Sequence, residues 1–368
     1  MKRVALLPFV LLLGTRAHAA DAWRPSTDRT AWQVFARMIT PVPGRKDVQF
    51  ETWGADADLY GRTPPKWPVA NAPKLLTRSL GGITSKPVLP QVAPPSACAK
   101  PQDAAAGNFP ASACIGEEVR HNRPAFDYLA DNGLTTTAGL VKAYASGKTI
   151  ALPSDSVIAK ADWVPIGDML KWLPAYKTPD DIRRAYYTNS ASMGGQTTEY
   201  ALVGVSIQSR QTNDWVWMTF EHRSNPGRCD IIGCHDDFGA AAANVPPAKT
   251  SNSDYGACAK TPALAAVFAS EHVTNPVWNN YCLKGTQTLY VTMAGQPTLL
   301  GNSVVERINH GMPIPQISCI ACHSTASFDK TGAPNLAALQ AHPIGRVDPK
   351  LLQGFVRDDF VWGFLAAK

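Results

Sequence analysis

Five residues, Cys319-Ile320-Ala321-Cys322-His323, lie only 45 residues from the end of a 368-residue chain. Two thiols at this spacing can each form a thioether to one haem vinyl group. The histidine directly behind them is placed to bind the iron as proximal ligand. With eight Cys and eight His in the chain, such a run is expected by chance roughly 0.004 times per sequence of this length. The rival readings are a redox dithiol and half of a zinc site. A dithiol should open a helix after a strand within a βαβ pattern, and zinc needs a second ligand pair; neither pattern is evident. The position of the run constrains the fold. No Met follows His323, and so short a tail cannot form a small haem domain that takes its sixth ligand from a downstream Met. The upstream chain must build the pocket.

Candidates for the iron's far side are therefore His222, Met312, His310 and Met293 upstream, and His342 downstream. An open or water-bound position is the remaining alternative. His222 leads because it ends an aromatic strand that can wall a pocket, and Glu221-His222 would be the acid–base pair of an enzyme. A second run, Cys229-Asp230-Ile231-Ile232-Gly233-Cys234-His235, reads as a local disulfide with an incidental His. A second haem on Cys229, Cys234 and His235, or a chelated metal, are its alternatives.

The start of the chain fits export. Met1-Lys2-Arg3 precede an apolar run from Val4 to Gly14, and Ala17-His18-Ala19 is a small-x-small cleavage signal, so residues 1–19 are expected to be a signal peptide. The run is too short to span a bilayer, which takes about 20 residues, and no later stretch is longer. The expected location is a bacterial periplasm. Cleavage removes three basic residues and lowers the formal charge from +6 by three, too mild a balance to argue for nucleic acid or a membrane surface. Six cysteines remain beside the haem pair, an even number suited to an oxidising compartment. Local pairing gives 98–114, 229–234 and 258–282, although six cysteines permit 15 pairings.

Along the chain, Trp32, Phe35, Ala36 and Ile39 have the spacing of an amphipathic helix, with Ser26 or Thr27 as N-cap and Pro41 and Pro43 as its stop. Val48 to Trp53 alternates like a short strand. Residues 41–110 hold 12 of the 30 prolines and are expected to wrap a core. Residues 124–146 are helical in pattern, Thr149 to Pro153 and Ser156 to Val164 strand-like, and Asp180 to Tyr187 a short helix. Tyr200 to Gln208 and Trp215 to His222, joined by a polar turn, form the clearest hairpin. Thr261-Pro262 caps a helix through Ser270, and Gln287 to Met293 is a further strand. The expected architecture is α+β, an antiparallel β-rich body with peripheral helices and long loops and a C-terminal haem-bearing segment. Its expected divisions are 20–123 (helix and proline-rich wrapping region), 124–300 (body) and 301–368 (haem segment).

Several stretches resemble a group of bacterial exported cytochrome c-like proteins with a single haem motif near the C-terminus. They are Ile150-Ala151-Leu152-Pro153, Lys160-Ala161-Asp162-Trp163, Leu202-Val203-Gly204-Val205, Trp215 to His222, Gly285-Thr286-Gln287, Leu300 to Glu306 and Ser318 to His323. The resemblance covers roughly residues 125–325, and the insert around Cys229 to His235 departs from it. It implies haem binding and electron transfer and supplies no substrate. The expected function is an exported c-type cytochrome with one haem on Cys319 and Cys322, exchanging electrons with a redox partner protein. The alternative is a haem enzyme, peroxidase-like or a small-molecule oxidoreductase, with an open distal site. A scaffold that merely carries haem is a third reading. No Ser-His-Asp set, phosphate loop or dinucleotide fingerprint stands out.

Overall fold

The computed structural model describes residues 26–70, 74, 76–78, 109, 115–193 and 195–367. The signal segment, the 98–114 pairing and much of the proline-rich stretch lie outside them. The fold is α+β, built on one antiparallel sheet. Its strands are β1 (Gly54–Ala55), β2 (Thr77–Arg78), β3 (Gly116–His121), β4 (Val157–Pro165), β5 (Thr188–Met193), β6 (Gln196–Ser209) and β7 (Val216–His222). After the short ribbon of β8 (Cys234–His235) and β9 (Asn244–Val245) comes the last sheet strand, β10 (Tyr281–Gln287). The order is β1-β3-β4-β6-β7-β10, with β2 also on β3 and β5 on β6. A second ribbon near the C-terminus joins β11 (Ser327–Phe328) to β12 (Val356–Arg357).

Successive side chains of a strand point to opposite faces, so the register sorts the residues. Ala161, Val205, Phe220 and Leu283 lie side by side across four strands on one face, with Ala159, Ile207 and Met218 in the next row. Helix α1 (Thr27–Met38) packs here with Trp32, Phe35, Ala36 and Met38 all buried. Phe35 stacks on Phe220 at 4.1 Å between centroids. Each such aromatic contributes about 1.5–3 kcal/mol by leaving water. The helix forms as its sequence predicts: the Ser26 side chain accepts from Arg29 N, and Asp28 and Arg37 suit the two ends of the helix dipole. At the β3 edge this face also takes the pair Arg120–Glu118, 2.7 Å apart.

The hairpin of β6 and β7, the strand over Ser156–Val164 and the helices at 123–131, 137–146, 179–185 and 262–270 match the sequence expectation. Three stretches do not. Val48–Trp53 is a 3-10 turn, because Glu51 accepts from Val48 N and is held in turn by Lys74 and Asn189. Thr149–Pro153 joins no strand, since Leu152 N is engaged by the Asp359 carboxylate at 2.6 Å. The strand expected over Gln287–Met293 ends where it should begin: β10 stops at Gln287, and the chain then folds back through a Val291–Pro297 bridge. The expected boundary at 123/124 separates β3 from β4, although these strands pair along six residues. The N-terminal region thus supplies both a core helix and a sheet strand.

Candidate functional site

The other face of the sheet is polar. Its first row is Glu117, Asp162, Gly204, Glu221 and Cys282; the second is Val119, Lys160, Ser206 and Thr219; the third is His121, Ile158, Gln208, Trp217 and Gln287. Residues 302–323 cover these rows. Ser303 N donates to Glu221 at 2.8 Å, and Asn302 donates to Thr219 Oγ1 at 2.9 Å. Ser206 donates to Glu306, Asn309 to Asp162, and His310 Nε2 lies 2.7 Å from Glu117. Gly204 is needed here, because a Cβ would meet the Asn302 side chain at 2.9 Å. The last residues reach the third row: Ile320 N donates to Gln287 at 3.0 Å, and the His323 ring lies 4.6 Å from that of Trp217.

The Cys-x-x-Cys-His run is the short helix α8 (Cys319–His323). Ile320 is fully buried against Leu300 and the surrounding apolar cluster, which seats the turn. Cys319 and Cys322 are free thiols. Burial pushes both up, Cys319 well above the usual thiol range and Cys322 to about 11, so both are protonated at neutral pH. Burial also brings His323 down to about 4, against its bond to Phe360, which raises it. Its imidazole is neutral. His323 Nδ1 lies 2.9 Å from Phe360 O. A carbonyl only accepts, so Nδ1 carries the hydrogen and Nε2 keeps its lone pair.

That carbonyl is deliberately placed. Asp359 and Phe360 have φ of 42° and 69°, the left-handed region that costs a non-glycine residue energy and persists only when its surroundings enforce it. The enforcing group is the Asp359 carboxylate. It accepts from Leu152 N at 2.6 Å, Arg210 Nε at 3.0 Å and Trp215 Nε1 at 3.4 Å. The loop at Leu152 and the turn between β6 and β7 thereby fix the atom that orients His323.

Cys319, Cys322, His323, Lys160 and His310 each keep some exposure; burial sets the direction for both cysteines and His323, whereas Lys160 is raised, Glu117 and Glu306 outweighing its burial. Lys160 acts electrostatically on all three motif residues, and Glu306 on both cysteines. Lys160 Nζ lies 2.8 Å from His310 Nε2 and 3.4 Å from Glu117. Burial, with Glu117 adding, raises the Asp162 carboxyl well above its usual range; its Oδ1 is buried with no partner.

Several expected residues lie elsewhere, and the far-side assignment changes. His222 cannot face His323. It is five residues from Trp217, an odd step, and so points to the opposite face, where its ring stacks on Tyr186 at 3.5 Å. Nε2 donates to Ala185 O and Nδ1 accepts from Ser224 N. Its neighbour Glu221 is held by Ser303 and Lys284, so the pair Glu221-His222 is no acid–base unit. Met293 is fully exposed, and His342 makes no hydrogen bond or ring contact with the motif. Of the named candidates, His310 is the one bonded to the polar face, through Glu117 and Lys160, with Met312 two residues beyond.

Cys229–Cys234 and Cys258–Cys282 are disulfides. The first uses both thiols that a second haem would need, and His235 pairs with Asp28 at 2.9 Å. The expectation of an iron- or metal-binding group built by the chain is overturned: among the described residues no three His, Cys, Asp or Glu side chains converge as a metal ion requires. Cytochrome and haem character are thus not features of the structure itself. Lys160, Gln208 and Glu117 were not singled out as site residues from the sequence; the usable signal was Lys160 and Asp162 alternating with buried alanines in an otherwise apolar strand. Among the described residues, no helix is long and apolar enough to cross a membrane. Comparison with protein-family models, curated proteins and solved structures finds no match to this chain.

Proposed function

We propose that this chain is an exported protein that carries one covalently attached haem on Cys319 and Cys322 and exchanges single electrons with a redox partner protein, as the bacterial cytochrome c-like group it resembles would. The reading does not need the converging ligand set that is missing. In a haem the porphyrin supplies four of the iron's ligands, and the chain adds at most two. Attachment adds each S–H across one vinyl double bond: a C–S bond forms, the hydrogen goes to the other vinyl carbon, and nothing is oxidised. Haem supplies the one-electron chemistry; the protein orients and shields it.

The observation that carries the proposal is the His323 Nδ1–H bond to Phe360 O. Metal-ligating histidines donate their second ring nitrogen to just such a carbonyl, which fixes tautomer and orientation. His323 has that arrangement with Nε2 left over. The protonated thiols argue in the same direction, because a working redox dithiol depends on a lowered thiol pKa. The two disulfides fit an oxidising compartment, which supports export through residues 1–19 to a periplasm.

The test is expression alongside a c-type haem attachment system, with signal peptide intact. Intact mass should exceed that of the processed polypeptide by one haem, and the pyridine haemochrome should give one haem per chain. Cys319→Ala with Cys322→Ala should abolish the covalent adduct. A wild-type protein that emerges at polypeptide mass would sink the proposal. A second reading, a haem enzyme with an open distal site, is favoured by one observation, the polarity of the sheet face that residues 302–323 cover.

A further inference from the structure

The two disulfides differ in which of their sulfurs solvent can reach. In Cys229–Cys234 both residues are buried. In Cys258–Cys282 they are unlike: Cys282 lies within β10 and is 1% exposed, whereas Cys258 is half-buried between the exposed Ala257 and Ala259. Exchange begins when a thiolate reaches one sulfur of the bond, so Cys258 is the open end. That sulfur also carries a cation. Lys260 Nζ lies 2.8 Å from Cys258 Sγ, donates to Tyr281 O at 2.5 Å and sits 4.7 Å from the centre of the Trp32 ring. A lysine beside a thiol favours the thiolate. Burial brings the Lys260 ammonium down to about 7, with Asp236 opposing and Arg228 adding, so it gives up a proton readily near neutral pH. On the other sulfur's side, Glu221 stands across from Cys282 and is paired with Lys284. The backbone around Cys258 is held by bonds other than the disulfide. Ala241 N donates to Ala259 O at 2.8 Å, Thr261 N donates to Gly239 O at 3.1 Å, and Ala240 bridges Lys260. With the S–S bond open, these contacts keep the two sulfurs close enough to rejoin.

We infer that Cys258–Cys282 is a thiol-exchanging disulfide whose substrate is a dithiol, with Cys258 the attacked sulfur and Lys260 the positioning and proton-supplying group. The site does not depend on haem. A thiolate of the dithiol attacks Cys258 Sγ. A new S–S bond forms, the Cys258–Cys282 bond breaks, and its electron pair goes to the Cys282 sulfur, which Lys260 protonates. The second thiolate of the dithiol then attacks the first, closing the dithiol's own S–S bond and releasing Cys258 as a thiolate beside Lys260. The dithiol is oxidised and the protein disulfide reduced by two electrons. One dithiol proton ends on Cys282 by way of Lys260, and the other goes to solvent. Cys229–Cys234 also has a cation nearby, with Arg228 Nη1 at 3.4 and 3.6 Å from its sulfurs, but no open end. It is therefore the internal control.

The experiment uses the folded protein without denaturant, with dithiothreitol as the dithiol. Samples are alkylated over time and digested, and each cysteine is scored in its own peptide, so Cys319 and Cys322 do not interfere. Cys258–Cys282 should open at least tenfold faster than Cys229–Cys234. In the reduced protein, alkylation of Cys258 followed from pH 5 to pH 9 should give a midpoint at least one unit below the about 8.5 of a free thiol. Lys260→Met, its folding checked by circular dichroism, should return the midpoint to that value. Equal opening rates, opening only in urea, or a wild-type midpoint at 8.5 or above would each overturn the inference. So would a folded Lys260→Met protein with an unchanged midpoint. If that variant does not fold, the two wild-type measurements decide the matter alone.

Discussion

The two faces of the central sheet are made from the same strands, yet they are stabilised by different physics. On one, Phe35, Trp32 and Trp278 pack against Phe220, Ile207 and Leu283, and burial of apolar area holds α1 in place. On the other, Glu221, Thr219, Ser206, Asp162 and Glu117 each hydrogen-bond to the 302–310 segment, Glu117 to both Asn309 and His310. Apolar packing tolerates small shifts. A row of bonds does not, and it fixes the register of a segment that must deliver α8 to Trp217. The comparison teaches that this chain spends stability on the polar face to position one short helix.

The strongest way to break the comparison is Glu221→Ala. Glu221 and Lys284 are both completely buried, 3.5 Å apart, and losing one member of such a pair strands the other charge. The expected cost is about 3–5 kcal/mol, read as a lower urea midpoint. The double change Glu221→Leu with Lys284→Met should recover much of it. If the single variant were as stable as wild type, the polar face would be incidental.

Acid tests the apolar face through His222, the one imidazole buried at its end. Burial lowers His222 to about 3, its bond to Ala185 opposing. The unfolded chain takes up that proton near 6.5. Because the unfolded state binds more protons, this contribution is complete above about pH 6.5. It is lost continuously as pH falls towards 3, at up to about 1.4 kcal/mol per pH unit. Glu117, lowered to about 2 by Lys160 and His310 against its own burial, adds a second loss below about 4.5. Urea unfolding followed from pH 7 to pH 4 should show the first slope, and His222→Phe should flatten it.

The smallest stability effect belongs to Asp359→Asn, about 1–2 kcal/mol for weakened bonds to Leu152, Arg210 and Trp215. Its sharper readout is electrochemical. Loosening the Phe360 carbonyl lowers the basicity of His323 and so destabilises the oxidised iron. On the haem proposal the midpoint potential rises, whereas a purely structural role leaves it unchanged.

Local chemistry was enough to read some of this molecule. The alternation of Ala201 to Ile207 against Trp215 to His222 gave the hairpin, and the Trp32, Phe35, Ala36 spacing gave α1. Both patterns repeat at the period of one element, so no distant residue is needed to see them. The Cys-x-x-Cys-His run is equally local, and it alone named the residues proposed to carry the haem.

What only the tertiary structure decided was which polar residues meet across long stretches of chain. Lys160 reaches His310 over 150 positions, and Leu152 reaches Asp359 over 207; no periodicity encodes such pairs. His222 shows the limit most plainly. Strand parity already set it on the opposite side from Trp217, but which side faces the motif was fixed only when residues 302–323 docked. The five residues near the C-terminus are the whole sequence basis of the haem proposal. The sheet's polar face decided what stands opposite them, because a hydrogen-bond partner is chosen by register and direction, and those exist only once the strands have paired.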